Sequence, residues 1–457
     1  MEYYVKMVKT KYKLSKKYYK DNINKKYNKN KTDQYLYYYD LLNPYPLFPT
    51  IIDINISKYA IIINTDLDNI LNLENVENEE SSNMYSNLSS NISFNKKIGN
   101  KIKFFEELVK GKENSKVPRQ LYSYELKDEL ILNYNAEYAT VAWLKCYEIL
   151  EYYKFLDDIP TNTIKYFGIC EQPGAFIYAI NHYVKQKLNK QFDFVLQSLN
   201  HVMDSNAFKP EINLHKQYQN KYDYGSDATG DITNLENIKY YRQKYYDSHF
   251  DIITADCGIN CSSDYGEQEK NSLNLVLSQV ILALSLANKN TNFFFKLFTI
   301  SEELTKEIIY MLSYFFTTIQ ICRTITTKPA SGEIYCVCTN FKYEKLVMDK
   351  KIDFVYKWYE KYTVNKNIRL INNDIIGECF YNNINKVNEM LSYRRLLSLN
   401  FLYFRLNNSD FTLDNKEVHD RINNVVKQTV EYFIKLYKIK KLDDKNKLVN
   451  NKFKVNY

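Results

Sequence analysis

Residues 250–298 read FDIITADCGINCSSDYGEQEKNSLNLVLSQVILALSLANKNTNFFFKLF. The apolar run at 250–255 has the length of a strand. Residues 272–287 then carry Leu273, Val276, Leu277, Val280, Ile281 and Leu284 at helical spacing. A second β-rich run follows at 293–298. Strand, helix, strand is the repeating unit of a parallel sheet. The alternation continues outward in both directions. Upstream lie strand-like runs at 164–170 and 192–196, separated by a helical segment that opens at Pro173 and runs through Lys187. Downstream lie a helical stretch at 302–316 and strands at 319–322 and 334–338. Residues 120–157 show helical spacing from Leu121 to Leu150. The pattern predicts a Rossmann-like, doubly wound α/β sheet with helices on both faces. In such sheets ligands bind at the carboxyl ends of strands.

The flanks read differently. Residues 1–32 hold eleven lysines against Glu2 and Asp21. The plain reading of this arm is a solvated tail; the sharper one is a nucleic-acid contact. Residues 41–63 are apolar enough to pack on the main body, and 66–98 read as an acidic, Asn- and Ser-rich linker. Beyond about 345 the chain turns helical and Lys-rich, most clearly at 385–404 and 418–441, and its last stretch reads as a solvated tail. The expected parts are a Tyr/Lys-rich region at 1–65, a linker or long loop at 66–114, the α/β domain at 115–345 and a helical extension at 346–457.

A chain of 457 residues with 45% hydrophobic and 25% charged residues can bury a sizeable core, which excludes a wholly disordered chain and a small disulfide scaffold. Its formal net charge of +8 suits a basic groove for a polyanion and equally a merely soluble surface. The 44 tyrosines follow the Asn-, Lys- and Ile-rich composition expected of an AT-rich genome, with base stacking accounting for a few. No run of 18 apolar residues occurs, so no membrane association is expected. The eight cysteines form no CxxC pair and no zinc spacing, and read as reduced, buried residues of a cytosolic protein. The five histidines form no HExxH or triad-like spacing, and Asn181-His182 reads as packing.

Three charged residues stand at strand ends: Asp256 after the run 250–255, Lys296 at the close of Phe293-Phe294-Phe295, and Glu333 before the run 334–338. Charges commonly cap strands, but three around one sheet suggest a site.

Four stretches carry a family resemblance across about residues 115–345. They are Ala142-Trp143-Leu144-Lys145; Cys170-Glu171-Gln172-Pro173-Gly174-Ala175-Phe176; Gly230-Asp231-Ile232-Thr233 followed by Glu236-Asn237-Ile238; and the ordered series Asp256, Lys296, Glu333 with its lead-in Thr327-Lys328-Pro329-Ala330-Ser331-Gly332. Together these resemble the FtsJ/RrmJ-type 2′-O-ribose methyltransferases. They are most similar to the messenger-RNA cap branch and to the FtsJ-like proteins of large cytoplasmic DNA viruses. The resemblance implies S-adenosylmethionine as methyl donor and capped messenger RNA as substrate, methylated at the first transcribed nucleotide. It also implies a cytoplasmic protein, in the host cell or the virion if viral.

The resemblance assigns Lys145, Asp256, Lys296 and Glu333 as a catalytic tetrad. Methyl transfer to a ribose hydroxyl needs an in-line approach and a polarised or deprotonated oxygen, and a lysine can take the proton where a second cation and burial favour its neutral form. Lys296 would be that acceptor, with Lys145 and Asp256 positioning the hydroxyl and Glu333 supporting Lys145. No metal is required. The resemblance also assigns cofactor contacts to Glu171, Pro173, Gly174, Ala175, Phe176, Asp231, Ile232 and Asp256. Pro173-Gly174 would turn at the amino-acid end of the cofactor, Glu171 would meet its α-amino group, and Asp231 would lie near the adenine. The loop departs from the family pattern: Gly168 replaces the leading acid, Glu171 and Gln172 replace small residues, and Ala175 replaces a second glycine. A catalytically silent RNA-binding or scaffold subunit and a ribosomal-RNA methyltransferase are therefore the alternatives. The flanking regions could read the cap or dock on a transcription or capping assembly, and oligomeric state is not legible.

Overall fold

The computed structural model describes residues 52–55, 102, 121–205, 207–259, 267–328, 331–366, 368–371, 376–407 and 416–449. The expected basic arm at 1–32 and the linker at 66–98 lie outside them.

The centre is an eight-stranded mixed sheet. Its strands are β1 (Ile52–Asn55), β2 (Thr163–Ile169), β3 (Gln191–Gln197), β4 (Tyr222–Asp223), β5 (Ile252–Ala255), β6 (Asn292–Leu297), β7 (Phe316–Arg323) and β8 (Ile334–Phe341), in the order β1-β7-β8-β6-β5-β2-β3-β4. Strands β2 to β6 run parallel, and β8 is antiparallel to both β6 and β7. The chain builds outward from β2 to β4, then returns to place β5 on the other side of β2. The switch point between β2 and β5 is where such sheets open a crevice.

Both faces of the sheet are covered, which is why its strands are apolar on both sides. Alternate residues serve opposite layers. Phe293 and Phe295 join the core that holds the helices α5 (Leu235–Lys244), α6 (Gln268–Leu286), α7 (Glu303–Phe315), α8 (Lys345–Val364) and the first part of α9 (Glu378–Asn407). Phe294 joins the opposite core, with α1 (Leu121–Tyr134), α2 (Val141–Tyr153), α3 (Ala175–Tyr183) and the end of α10 (Lys416–Tyr437). A short helix, α4 (Ile212–Gln217), lies between β3 and β4.

Three features differ from the sequence reading. The helix after Pro173 begins at Ala175, because Gly174 at φ 120 still belongs to the turn. The helix α5 occupies a stretch read only as a motif; its polar N-terminus is capped by Asn234, which accepts from the Glu236 N–H, and its apolar residues are few. The chain end read as a solvated tail is packed through residue 449. Leu442 and Val449 are buried, and Glu137 accepts both the Leu448 and Val449 N–H groups. The lysines between these apolar residues mask the pattern, because their spacing fits neither helix nor strand.

The extension joins the α/β core directly. Met348, Ile352, Val355, Trp358 and Tyr359 of α8 are buried in the same cluster as α6 and α7. At the other end, β1 pairs antiparallel with β7, so the stretch expected to pack on the body supplies an edge strand.

Candidate active site

Lys145, Asp256, Lys296 and Glu333 converge at the carboxyl end of the sheet. Strand register explains how. Ala255 of β5 lies opposite Phe295 of β6, so Asp256 and Lys296 leave adjacent strands side by side. Lys296 in turn lies opposite Tyr335 of β8. Lys145 comes from α2, whose first turn is capped by Thr140.

The four side chains form two ion pairs. Lys145 Nζ lies 2.5 Å from Glu333 Oε1, and Lys296 Nζ lies 3.1 Å from Asp256 Oδ1. Lys296 also donates to the Asp256 backbone carbonyl at 2.9 Å. Burial pushes the Asp256 carboxyl up, against the pull of Lys296, while the charge on Glu333 raises it further. Burial acts on Glu333 too, but Lys145 and Lys296 outweigh it and hold Glu333 below its usual range. Two acids with opposite shifts in one cluster are a common mark of a reaction centre.

Tyr335 was not singled out in the sequence. Its buried hydroxyl lies 3.1 Å from Glu333 Oε1 and 3.4 Å from Asp256 Oδ1, bridging the two pairs. The signal was there: Glu333 and Tyr335 are two apart at a strand start and so share a face. Two further residues went unnoticed. Glu148, one turn beyond Lys145, is fully buried; its carboxylate accepts from the N–H groups of Ile325 and Thr326 and from the Thr326 hydroxyl. Burial pushes it up to about 7, and those donors and Lys145 pull it back only in part. Arg323 donates to the carbonyls of Lys328, Ser331 and Glu333.

The loop after β2 stands beside this cluster. Cys170 (φ 56) and Gly174 (φ 120) turn the chain sharply. Its φ of 120 is what calls for glycine at 174; a Cβ there would also stand 2.9 Å from the Leu214 methyl Cδ2, which would have to shift. Gln197 ties the loop to its neighbour: it accepts from the Cys170 N–H, and its amide donates to the Gly230 carbonyl. Gly230 (φ 71) has no room for a side chain, since a Cβ would lie 1.9 Å from the Ser198 carbonyl oxygen. Asp231 Oδ1 accepts from the Thr233 N–H and hydroxyl, and buried Asn237 donates to the Asp231 carbonyl. The spacing from GDIT to ENI is thus that of one self-closed turn.

The remaining cofactor-loop residues divide by exposure. Ala175, Phe176 and Ile232 are buried; Phe176 packs against Phe294 and Tyr335 beneath the tetrad. Glu171 is buried as well. One carboxylate oxygen accepts from Tyr166, whose hydroxyl is shared with Thr254, and the other accepts from the Ile177 N–H. Its geometry is that of an anchor for the first turn of α3. Gly168 is explained by the same network, because a Cβ there would lie 2.5 Å from the Tyr166 hydroxyl. Pro173, Leu199, Asn200, Asp231 and Asp256 are of intermediate exposure.

The reading of all eight cysteines as reduced is corrected here. Cys170 and Cys257 form a disulfide with a Cα–Cα distance of 5.1 Å. Parallel pairing of β2 with β5 sets Ile169 opposite Ala255, which brings the two following turns together. The bridge joins the loop before Glu171 to the turn carrying Asp256. Among the described residues no group of three His, Cys, Asp or Glu side chains is arranged to hold a metal ion, and no helix is long and apolar enough to cross a membrane.

Residues 138–341 match the family model for FtsJ-like methyltransferases. An uncharacterized protein of Acanthamoeba polyphaga mimivirus is 29% identical over 286 residues, covering 61% of this chain and 35% of the other. The cap-specific mRNA (nucleoside-2′-O-)-methyltransferase 2 of Drosophila melanogaster is 28% identical over 237 residues, covering 50% of this chain and 33% of the other. A probable methyltransferase of African swine fever virus is 30% identical over 250 residues, covering 50% of this chain and 57% of the other. The chain spans from 33% to 57% of the length of these relatives.

Proposed function

We propose, from the FtsJ-like methyltransferase domain at residues 138–341, that this protein methylates the ribose 2′-hydroxyl of a nucleotide at the capped end of messenger RNA, using S-adenosylmethionine. The observation that carries the reading is the closed cluster of Lys145, Glu333, Tyr335, Asp256 and Lys296 at the switch-point end of the sheet. Similarity to the cap-specific enzyme favours capped messenger RNA over ribosomal RNA.

The crevice residues fit the methyl donor. Asp231 and Asp256 each keep some exposure, and a carboxylate suits a cationic sulfonium. Pro173 and Gly174 shape the wall after β2, and the 230–233 turn shapes the opposite one. S-adenosylmethionine, when bound, supplies an electrophilic methyl on sulfur. The chain does the rest. Asp256 accepts twice from Lys296, through carboxylate and carbonyl, which fixes Nζ at the mouth of the cluster. Lys296 in its neutral amine form takes the 2′-hydroxyl proton on its Nζ lone pair and becomes the ammonium that Asp256 holds, as the O–CH3 bond forms and the S–CH3 bond breaks. Lys145, held by Glu333, orients the hydroxyl oxygen. Fixed charges of this kind need no reorganisation during the step.

Calorimetric titration with S-adenosylmethionine and S-adenosylhomocysteine is the first test. The expected result is micromolar binding, about −8 kcal/mol, followed by 2′-O-methyl transfer to capped RNA, read at the nucleotide level by resistance of the adjacent bond to alkali. No binding of either compound by folded protein, with RNA present, would overturn the reading in favour of a silent scaffold. Equal transfer to uncapped RNA would overturn the substrate.

A further inference from the structure

We propose that Glu148 is a positioning residue of the methyl-transfer reaction, acting through Glu333. This rests on the methyltransferase reading above. The geometry forms a closed frame. Helix α2 carries both Lys145 and Glu148, three residues apart and so on one side of the helix. The loop between β7 and β8 carries Glu333 as its last residue and Ile325-Thr326 near its start. Lys145 grips the far end of that loop through Glu333, and Glu148 grips the near end through three donors. Arg323, nearly fully buried, closes the frame from beneath by donating to the carbonyls of Lys328, Ser331 and Glu333 itself.

The turn at residues 324–327 is buried, so its N–H groups need protein partners, and a fully buried carboxylate is a costly way to supply one, since desolvation opposes it unless hydrogen bonds compensate. Serine or asparagine would cap an ordinary turn without that burial. Glu148 instead makes the anchor of the loop part of the helix that carries the partner of Glu333. Any small displacement of α2 then moves both ends of the Lys145–Glu333 pair together. Lys145 orients the hydroxyl only while that pair keeps its geometry, and errors of about 1 Å in such placements cost on the order of a hundredfold in rate.

The test is a double-mutant cycle of Glu148→Gln and Glu333→Gln on the full chain, with kcat, KM for capped RNA, S-adenosylmethionine affinity and thermal midpoint measured for each. Glu148→Gln is expected to lower kcat by about 10-fold to 100-fold, with cofactor affinity and KM within about twofold. The double variant is expected to be no slower than Glu333→Gln alone, because groups acting as a unit are not additive. Wild-type kcat in Glu148→Gln, or multiplying losses in the double variant, would overturn the proposal. If Glu148→Gln does not fold, Thr326→Val decides. It keeps side-chain volume and removes one donor, and is expected to lower kcat only where Glu333 is intact; unchanged kcat overturns the proposal. Failure of the wild-type chain to turn over would strike the methyltransferase reading itself, whereas an active wild type with an indifferent Glu148→Gln strikes only this inference.

Discussion

Lys296 and Tyr335 face each other across β6 and β8, and the chemistry separates their roles. Lys296 touches the reacting hydroxyl in the proposed mechanism, so Lys296→Ala should abolish transfer while fold and S-adenosylmethionine binding persist. Retained activity would sink the assigned mechanism. The Tyr335 hydroxyl bonds only the two acids, while its ring packs on Phe176 and Phe294. Removing one hydrogen bond to a charged group costs about 1.5–3 kcal/mol, so Tyr335→Phe should slow transfer by at least tenfold without weakening cofactor binding. Rates equal to wild type would show that the bridge is idle. Glu171 yields a prediction of a different kind. Burial pushes its carboxyl up from 4.5 to about 8, against the hydrogen bonds from Tyr166 and Ile177. A raised carboxyl favours its neutral form in the fold. Its contribution is therefore complete below about 4.5 and is lost as pH rises through about 8. Glu137 and Glu148, each pushed up to about 7 by burial, act with the same sign. Urea midpoints should fall from about pH 5.5 to about pH 8.5, and Glu171→Gln should flatten that slope. A slope unchanged by the substitution would reassign it to other groups. At this scale the sequence marked Asp256, Lys296 and Glu333 by their places at strand ends, whereas Lys145, inside α2, was marked only by the resemblance. It was silent on Glu148 and Arg323, whose partners are backbone groups more than a hundred residues away or inside an irregular turn.

Among the elements, the turns after β2 and β5 matter most, because a covalent bridge joins them. Cysteine positions within apolar runs gave no reason to pair Cys170 with Cys257, since 87 residues separate them and the contact exists only once β2 and β5 pair. The site therefore has two ties across the crevice, the disulfide and the Gln197 amide. Closing a loop of that length limits the unfolded chain by up to about 4–5 kcal/mol in the chain-entropy account. Incubation with a dithiol, or Cys170→Ser, should lower the urea midpoint and weaken S-adenosylmethionine binding together. Identical unfolding and binding with and without reductant would mean the two turns hold their places without the bond. The helix α5 was missed for a related reason: its N-terminal polar network, not apolar periodicity, defines it. Strands β2, β5, β6 and β8 were legible because a sheet covered on both faces needs unbroken apolar runs.

Over the whole molecule, alternation of strand and helix predicted the α/β sheet, while composition set apart an extension that packs on that sheet's helices. The lysine-rich extension looks separate because its exposed faces are charged; its inward faces are Met348, Ile352, Val355, Trp358 and Tyr359, all buried against α6 and α7. Polar ties reinforce the contact. Arg242 pairs with Asp349, Arg369 pairs with Glu307, and the Trp358 indole donates to the Arg369 carbonyl at 2.9 Å. Tyr359 reaches the turn after Asp231, donating to the Thr233 carbonyl at 3.0 Å and sharing a hydrogen bond with Ser278. Removing α8 would expose a face of the core that five large side chains now cover. At about 2 kcal/mol for each such side chain, the loss is near 10 kcal/mol, the size of a whole domain's net stability. A chain ending at residue 344 should therefore lose cooperative unfolding and become sensitive to protease, although it retains every residue of the matched family region. Cooperative, native-like unfolding of that fragment would show instead that residues 1–344 fold without the extension.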